Sequence, residues 1–328
     1  MKWITALFFV IASAAPLGAA PRSHQLSIID LGTLGGIFSQ ANAINNKNQV
    51  VGVSLTNESA FHAFSWDDGA MIDLGTLPGD VRSEANGVND HGEIVGLSFN
   101  PVTAGHAVLW KKGRIIDLGA PDGAGGCEAH AINKHGQIAG DCGFGNGELH
   151  PVIWDHGQIV DLGTLPGSTF AHGAAINDRG EVVGNFETAT GEFHGYVFDG
   201  STLTDLGTLP GGSFSNATSI NNHGVIAGFS DTESATQLGL IWKRGQPITL
   251  GVLPGAFNSQ AWGINKHGQV VGRSDQRPFL RRNGVMIELE TLPGADEALP
   301  FAVNDHGSVA GQGQTADGDD HAVAWFKK

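Results

Sequence analysis

Charge is scarce in this chain, and what there is leans one way. Only 16% of residues are charged, and 33 acidic residues outnumber 18 basic ones, for a net charge of −15. That balance disfavours nucleic acid and anionic membranes as partners, and no nucleic acid is expected. Long apolar runs are missing too. Past the first twenty residues none approaches the length of a membrane span, so no transmembrane anchor is expected. G-x-S-x-G, H-E-x-x-H and P-loop motifs are all absent, which removes the standard signatures of acyl transfer, zinc peptide hydrolysis and phosphate binding. Glycine, by contrast, is abundant at 49 residues. With so little charge, that composition suits short strands joined by tight turns.

The N-terminus carries Lys2, the short apolar stretch "WITALFFVIASAA" and the small-residue stretch "PLGAAP". This order reads as a secretory signal over residues 1–20, cleaved near Ala19 or Ala20. Residues 21–328 are then expected to form one domain, secreted or periplasmic, acting as a monomer.

One segment recurs seven times, as in "NAINNKNQVVG", "NGVNDHGEIVG" and "AAINDRGEVVG". Its asparagine falls at Asn45, Asn89, Asn133, Asn177, Asn221, Asn265 and Asn304, at a spacing of 44 five times and then 39. An aromatic column keeps pace at Trp66, Trp110, Trp154, Phe198, Trp242 and Trp325, with Leu280 as its exception. A period of this length with strand content marks a propeller blade. Each period holds four strand-like pieces, such as "SQANAIN", "QVVGVS", "HAFSW" and "MIDLGTL". Asn followed by Gly in the fourth place marks a type I turn, with Gly in the left-handed region. Asn48 is the one departure in that column and is the residue next best suited to the conformation. "TLPG" supplies Pro-Gly for a type II turn.

The chain starts with a lone fourth strand, "LSIIDLG", and ends with a lone third strand, "HAVAWF". Pairing them closes a ring and removes the exposed edges. The expected fold is all-β: a seven-bladed β-propeller with four antiparallel strands per blade, closed by its N- and C-terminal strands. A parallel β-helix is the alternative.

Cys127 and Cys142 stand in two columns otherwise held by serine: Ser39, Ser83, Ser215 and Ser259 for the first, Ser54, Ser98, Ser230 and Ser274 for the second. Both columns change in the same repeat, as expected for neighbours across a hairpin, and export makes a disulfide the default. Closing a loop of about 15 residues contributes roughly 3 kcal/mol in the chain-entropy model. A bulge at the turn would separate the two side chains unless a second irregularity restores the register.

"DLGTLPGG", "AIN..G.VVG" and "HAF.W" resemble the bacterial HAF repeat family of extracellular proteins, over nearly all of the mature chain. The resemblance implies export and repetition and supplies no substrate or catalytic residue. Blade 6 departs from the pattern: "SDQRPFLRRNG" is shorter and lacks the His and Trp.

Most of the 14 histidines belong to the repeat, and a residue needed once per blade is read as structural. The Asp of "DLG" is read as an acceptor for nearby backbone. No metal site and no cofactor are expected. Calcium at Asp317, Asp319 and Asp320 in "TADGDDHA" is the weaker alternative to a solvated acidic loop.

Positions that break the repeat carry more information. Two such columns lie in the first strand. One reads Gln40, Glu84, Glu128, His172, Asn216, Gln260; the other reads Asn42, Asn86, His130, Ala174, Thr218, Trp262, Phe301. A water-filled axial channel without a ligand is the bland reading of both. The functional reading places a ligand at one mouth of the ring, with Glu128, His130 and His172 as polar contacts and Trp262 as a stacking platform beside a notch left by the short blade 6. The leading expectation is a non-catalytic binding module for a carbohydrate, peptide or protein ligand. An extracellular polysaccharide hydrolase or lyase using off-repeat Glu and His is one alternative, and a purely structural surface protein is another.

Overall fold

The computed structural model describes residues 26–102 and 104–327. The signal segment read at residues 1–20 lies outside them. There are 28 strands and, among the described residues, no helix. The strands form up-and-down meanders. Five sheets hold four strands each, and eight strands make up a larger sheet.

The larger sheet is two groups joined by a single parallel bridge, Phe38 to Asp320. One group is Gly35–Ile44, Val50–Thr56, Phe61–Asp67 and Ala70–Asp73. The other is Ala298–Val303, Val309–Gln314 and Asp320–Lys327. Leu26–Asp30 completes it by pairing antiparallel with Asp320–Lys327, Leu26 opposite Lys327 and Asp30 opposite Val323. The two ends of the described chain are thus tied together in one meander, as the offset of the repeats implies.

The first strand of every meander is innermost. Each touches the first strands on either side, and Ala298–Val303 touches Gly35–Ile44, so the circle closes. This arrangement of radial meanders around an axis is a β-propeller. Small residues make the crowding tolerable: Ala41, Ala85, Ala129, Ala217 and Ala261 are fully buried. The glycine of "VVG" answers a closer contact. A Cβ on Gly52, Gly96, Gly140, Gly184, Gly228, Gly272 or Gly311 would lie 1.7–2.0 Å from a carbonyl oxygen of the adjoining inner strand.

The repeated asparagine does two jobs. Its Oδ1 accepts two backbone N–H groups of its own turn, as Asn45 does from Lys47 and Gln49. Its Nδ2 donates to the carbonyl of the corresponding asparagine in the next blade. Asn45, Asn89, Asn133, Asn177, Asn221 and Asn265 each do so in succession at 2.8–3.2 Å. Asn304 then donates to Asn45 at 2.9 Å. The turn geometry follows expectation: Asn48 has φ 64° and Gly92 φ 76°. The Pro-Gly turns close as well, with the Asp80 N–H on the Leu77 carbonyl at 3.0 Å and Gly79 at φ 94°.

The aromatic column needs one correction. Trp66, Trp110, Trp154, Phe198, Trp242 and Trp325 lie opposite Val50, Ile94, Ile138, Val182, Ile226 and Val309. In blade 6 the residue opposite Val270 is Arg281, not Leu280. The short hairpin there shifts the pairing by one residue from what sequence spacing suggests. Three of the indoles also anchor the chain between blades. Trp110, Trp154 and Trp325 each donate Nε1–H to a carbonyl of the preceding crossover at 2.8–3.0 Å.

The repeated His and Asp turn out to be partners. His62–Asp73, His106–Asp117, His150–Asp161, His194–Asp205 and His321–Asp30 pair at 2.8–3.2 Å. Each Asp also accepts the N–H of the glycine two residues on, at 2.7–2.8 Å. Blade 6 replaces the pair with Arg277–Glu288 at 3.0 Å. The Asp column thus accepts nearby backbone N–H as read, and its pairing with the His column is invisible in the sequence.

Candidate functional site

Every inner strand carries a β-bulge at the same place. The register slips between Ala41 and Ala43, Ala85 and Gly87, Ala129 and Ala131, Gly173 and Ala175, Ala217 and Ser219, Ala261 and Gly263, and Pro300 and Ala302. The extra residue in each is the second off-repeat column, including His130 and Trp262. A bulge frees its residue from the ladder and re-aims the side chain. These bulges also compensate the turn irregularity, so Cys127 lies directly opposite Cys142 and the two are disulfide-bonded.

Freed in this way, Asn42 reaches the next blade and donates to Glu84 Oε1 at 2.9 Å and the Ala85 carbonyl at 3.1 Å. Asn86 does the same to Glu128 Oε1 at 2.8 Å and the Ala129 carbonyl at 3.0 Å. In the next blade His130 turns to Asp141: its Nε2 lies 3.0 Å from Asp141 Oδ2. His172 Nε2 lies 3.4 Å from that same oxygen. The two imidazole rings are 4.6 Å apart, and Glu128 Oε1 is 3.9 Å from His130 Nδ1. Glu128, His130 and His172 therefore come together as the sequence reading supposes.

Sequence reasoning misses Asp141. It is the one buried carboxylate in the core of the described residues, 7% exposed. A signal exists: it breaks a second-strand column that reads Val53 and Leu97 in the two preceding blades.

The electrostatics follow from this crowding. Burial raises the Glu84 carboxyl above its ordinary value. The Glu128 charge adds to that, against the hydrogen bond from Asn42 and the charge of His130. At His130 burial works against the charged form. The hydrogen bond and charge of Asp141, with Glu128 and Glu84 behind them, outweigh it and raise the imidazole. His172 is pushed down to about 4 by burial and by the charge on His130.

Trp262 stands apart from this group, two blades beyond His172. Its ring lies 5.3 Å from Phe301, the bulge residue of the next blade, and the Arg273 guanidinium sits 5.5 Å from its centroid. The expected notch at blade 6 is present beside it. Only Asp275 and Gln276 join Val270–Ser274 to Arg277–Arg282. A cleft of about 370 Å³ opens there, lined by Gln237, Asn258, Gln260, Arg273 and Asp275. Its floor is the hydrogen-bonded Arg273–Gln260 pair at 3.0 Å rather than the indole.

A larger cleft, about 490 Å³, lies between the first two blades. Phe38 and Phe61 form one wall, edge to face at 5.6 Å. The Arg82 guanidinium lies 5.8 Å from the Phe61 ring centroid. Gln40, Glu84, Leu97 and Phe99 complete the lining. Glu84 thus joins this cleft to the hydrogen-bonded arc that leads to His130. The acidic loop read as a calcium alternative is a hairpin turn: Thr315 N–H donates to the Asp319 carbonyl at 2.8 Å, with Gly318 at φ 90°.

Neither a protein-family model nor a curated protein matches the sequence. Solved structures do. The β-propeller domain of the Trilobed protease from Pyrococcus furiosus is similar over 89% of this chain and 94% of that one, with a TM-score of 0.59 at 9% identity. A Mycobacterium tuberculosis puromycin-hydrolyzing peptidase is similar over 92% of this chain and 51% of its own, with a TM-score of 0.57 at 12% identity. TolB from Acinetobacter baumannii is similar over 89% of this chain and 65% of its own, with a TM-score of 0.50 at 14% identity. At such identities the likeness is one of fold. The fold is a β-propeller.

Proposed function

We propose that this chain is an exported seven-bladed β-propeller of the HAF repeat type that binds a carbohydrate in the cleft between its first two blades. Splitting the eight-stranded sheet at the Phe38–Asp320 bridge gives seven blades, matching the seven asparagines of the hydrogen-bonded circle. The Cys127–Cys142 disulfide suits an oxidising compartment.

The composition of the cleft carries the ligand assignment. Its volume suits a small ligand or a few sugar units. The Phe38, Phe61 and Phe99 rings offer faces and edges to the C–H surfaces of a sugar. Arg82, Gln40 and Glu84 offer donors and acceptors for its hydroxyls. A glycan array probed with the mature protein tests this. Binding to defined glycans that falls at least tenfold in Phe61→Ala and in Glu84→Gln supports the reading. Binding that survives both changes, or no glycan bound at all, contradicts it.

One observation favours hydrolysis as a second reading. Glu84 holds its proton more tightly than an ordinary carboxyl, as a general acid must, and Glu128 is a second carboxylate within its field. Release of shortened oligosaccharides from a bound glycan, lost in Glu84→Gln, would replace the binding assignment with this one.

A further inference from the structure

We propose that His130, Asp141 and His172 form a binding site for a divalent first-row transition-metal ion, built between the third and fourth blades and separate from the carbohydrate cleft. Three ligand atoms converge there. His130 Nε2 is 3.0 Å and His172 Nε2 is 3.4 Å from the same Asp141 oxygen. All three ligand atoms lie within 4.8 Å of one another. A tetrahedral ion with ligands at about 2.0–2.1 Å has neighbouring donors roughly 3.3–3.4 Å apart. The two separations to the Asp141 oxygen already match that spacing, and the two imidazole nitrogens, within 4.8 Å of each other, are in reach of the same ion.

The protein's own hydrogen bonds do not account for the cluster. His130 pairs well with Asp141, but the His172 contact to the same oxygen is long for a hydrogen bond. Among the described residues the His172 imidazole has no other hydrogen-bond partner. Tyr196 is a second polar group left over. Its hydroxyl is buried without a partner, and the Asp141 charge acts on it, helping burial to push its pKa up. The partly exposed His172 imidazole, with no strong partner of its own, is free to ligate an ion.

Access is available. The His130 and His172 side chains keep 17% and 32% of their exposure, while Asp141 beneath them keeps 10%. An ion can enter from the exposed side and retain a water there. Two imidazoles and one carboxylate suit zinc, copper, nickel or iron, and a lone carboxylate oxygen is a poor set for calcium. The histidines are the off-repeat ones. In the His130 column the first two blades have Asn42 and Asn86, and in the His172 column Gln40 and Gln260 occur. Those residues show what this scaffold accepts without a metal, so they supply variants that keep the fold.

The test uses the mature protein stripped with a chelator, then titrated with Zn²⁺ by calorimetry and with Co²⁺ by visible absorption. One equivalent is expected to bind, with the intense d–d bands of a four- or five-coordinate Co²⁺. His172→Gln and His130→Asn should each weaken Zn²⁺ binding by more than roughly 100-fold, beyond the loss expected for an outer-shell partner, with unchanged circular dichroism. No saturable one-to-one binding to the unaltered protein would overturn the proposal, as would affinity unchanged in both variants. The carbohydrate reading is judged separately by Phe61→Ala, whose ring lines the cleft between the first two blades and not this cluster.

Discussion

The side-chain amide of Asn304 donates to the backbone carbonyl of Asn45, 259 residues away, at 2.9 Å. This bond closes a circle that six like bonds build from blade to blade. Asn304 Oδ1 also accepts the N–H groups of His306 and Ser308. Asn304→Ala leaves the His306 and Ser308 N–H groups without this acceptor and leaves the Asn45 carbonyl with only the Asn48 N–H, at a cost of about 1–3 kcal/mol for a buried group left unpaired. Urea unfolding should show a loss of at least about 2 kcal/mol. Lys47→Ala, at an exposed position of the Asn45 turn, should change stability by less than about 0.5 kcal/mol. Equal effects would mean that the Asn304 side-chain bonds, to its own turn and to Asn45, contribute nothing measurable.

The disulfide replaces a hydrogen-bond scheme used elsewhere. Ser83 Oγ accepts the Ala63 N–H at 2.9 Å and donates to the Gly75 carbonyl at 2.7 Å. Ser98 Oγ accepts the Leu77 N–H at 2.9 Å. In the next blade the residue matching Leu77 is Pro121, which has no N–H to give. Cys142 needs none. Replacing both cysteines by serine should cost about 3 kcal/mol of loop-closure stabilisation, partly offset by a restored bond at position 127. Adding Pro121→Leu should recover about 1 kcal/mol more, by supplying the missing donor. Urea unfolding of the double and triple variants checks this. No recovery would show that the serine columns are not what the disulfide stands in for.

Asp305 predicts an acid-side effect. Its burial alone would raise its pKa. The backbone N–H and ammonium of Lys266, together with Asn46, outweigh burial and hold the carboxyl below its ordinary value. A depressed folded-state pKa contributes stability above the unfolded pKa, and that stability is lost as pH falls through the folded one. Asp305→Asn should therefore destabilise the protein near neutral pH. The gap to the unaltered protein should shrink as pH falls below the ordinary aspartate range. A gap independent of pH would show that the Asp305 charge does not matter.

What is legible in the sequence is whatever all blades need. The Asn–Gly turn, the Pro-Gly crossover and the small inner-strand residues recur because each answers the same local geometry from blade to blade. The cysteine pair is legible because two columns change together. Asp141 is not, because its partners come from elsewhere. His130 reaches it from the paired strand by way of a bulge, and His172 belongs to the next blade. The bulge itself has no signature of its own, since Asn42, His130, Ala174 and Trp262 share no chemistry. Arg281 escapes notice for the opposite reason: a shortened hairpin changes the offset between spacing and register. Trp262 reads as an open platform because its neighbours Phe301 and Arg273 lie 39 and 11 residues further along the chain.

Carbohydrate binding in the Phe38–Phe61 cleft is tested most directly by a crystal structure of the mature protein with the best glycan from the array. Density for a sugar ring is predicted against Phe61, with hydroxyls on Arg82 and Glu84. Sugar density at another site, with this cleft occupied only by water, would contradict it.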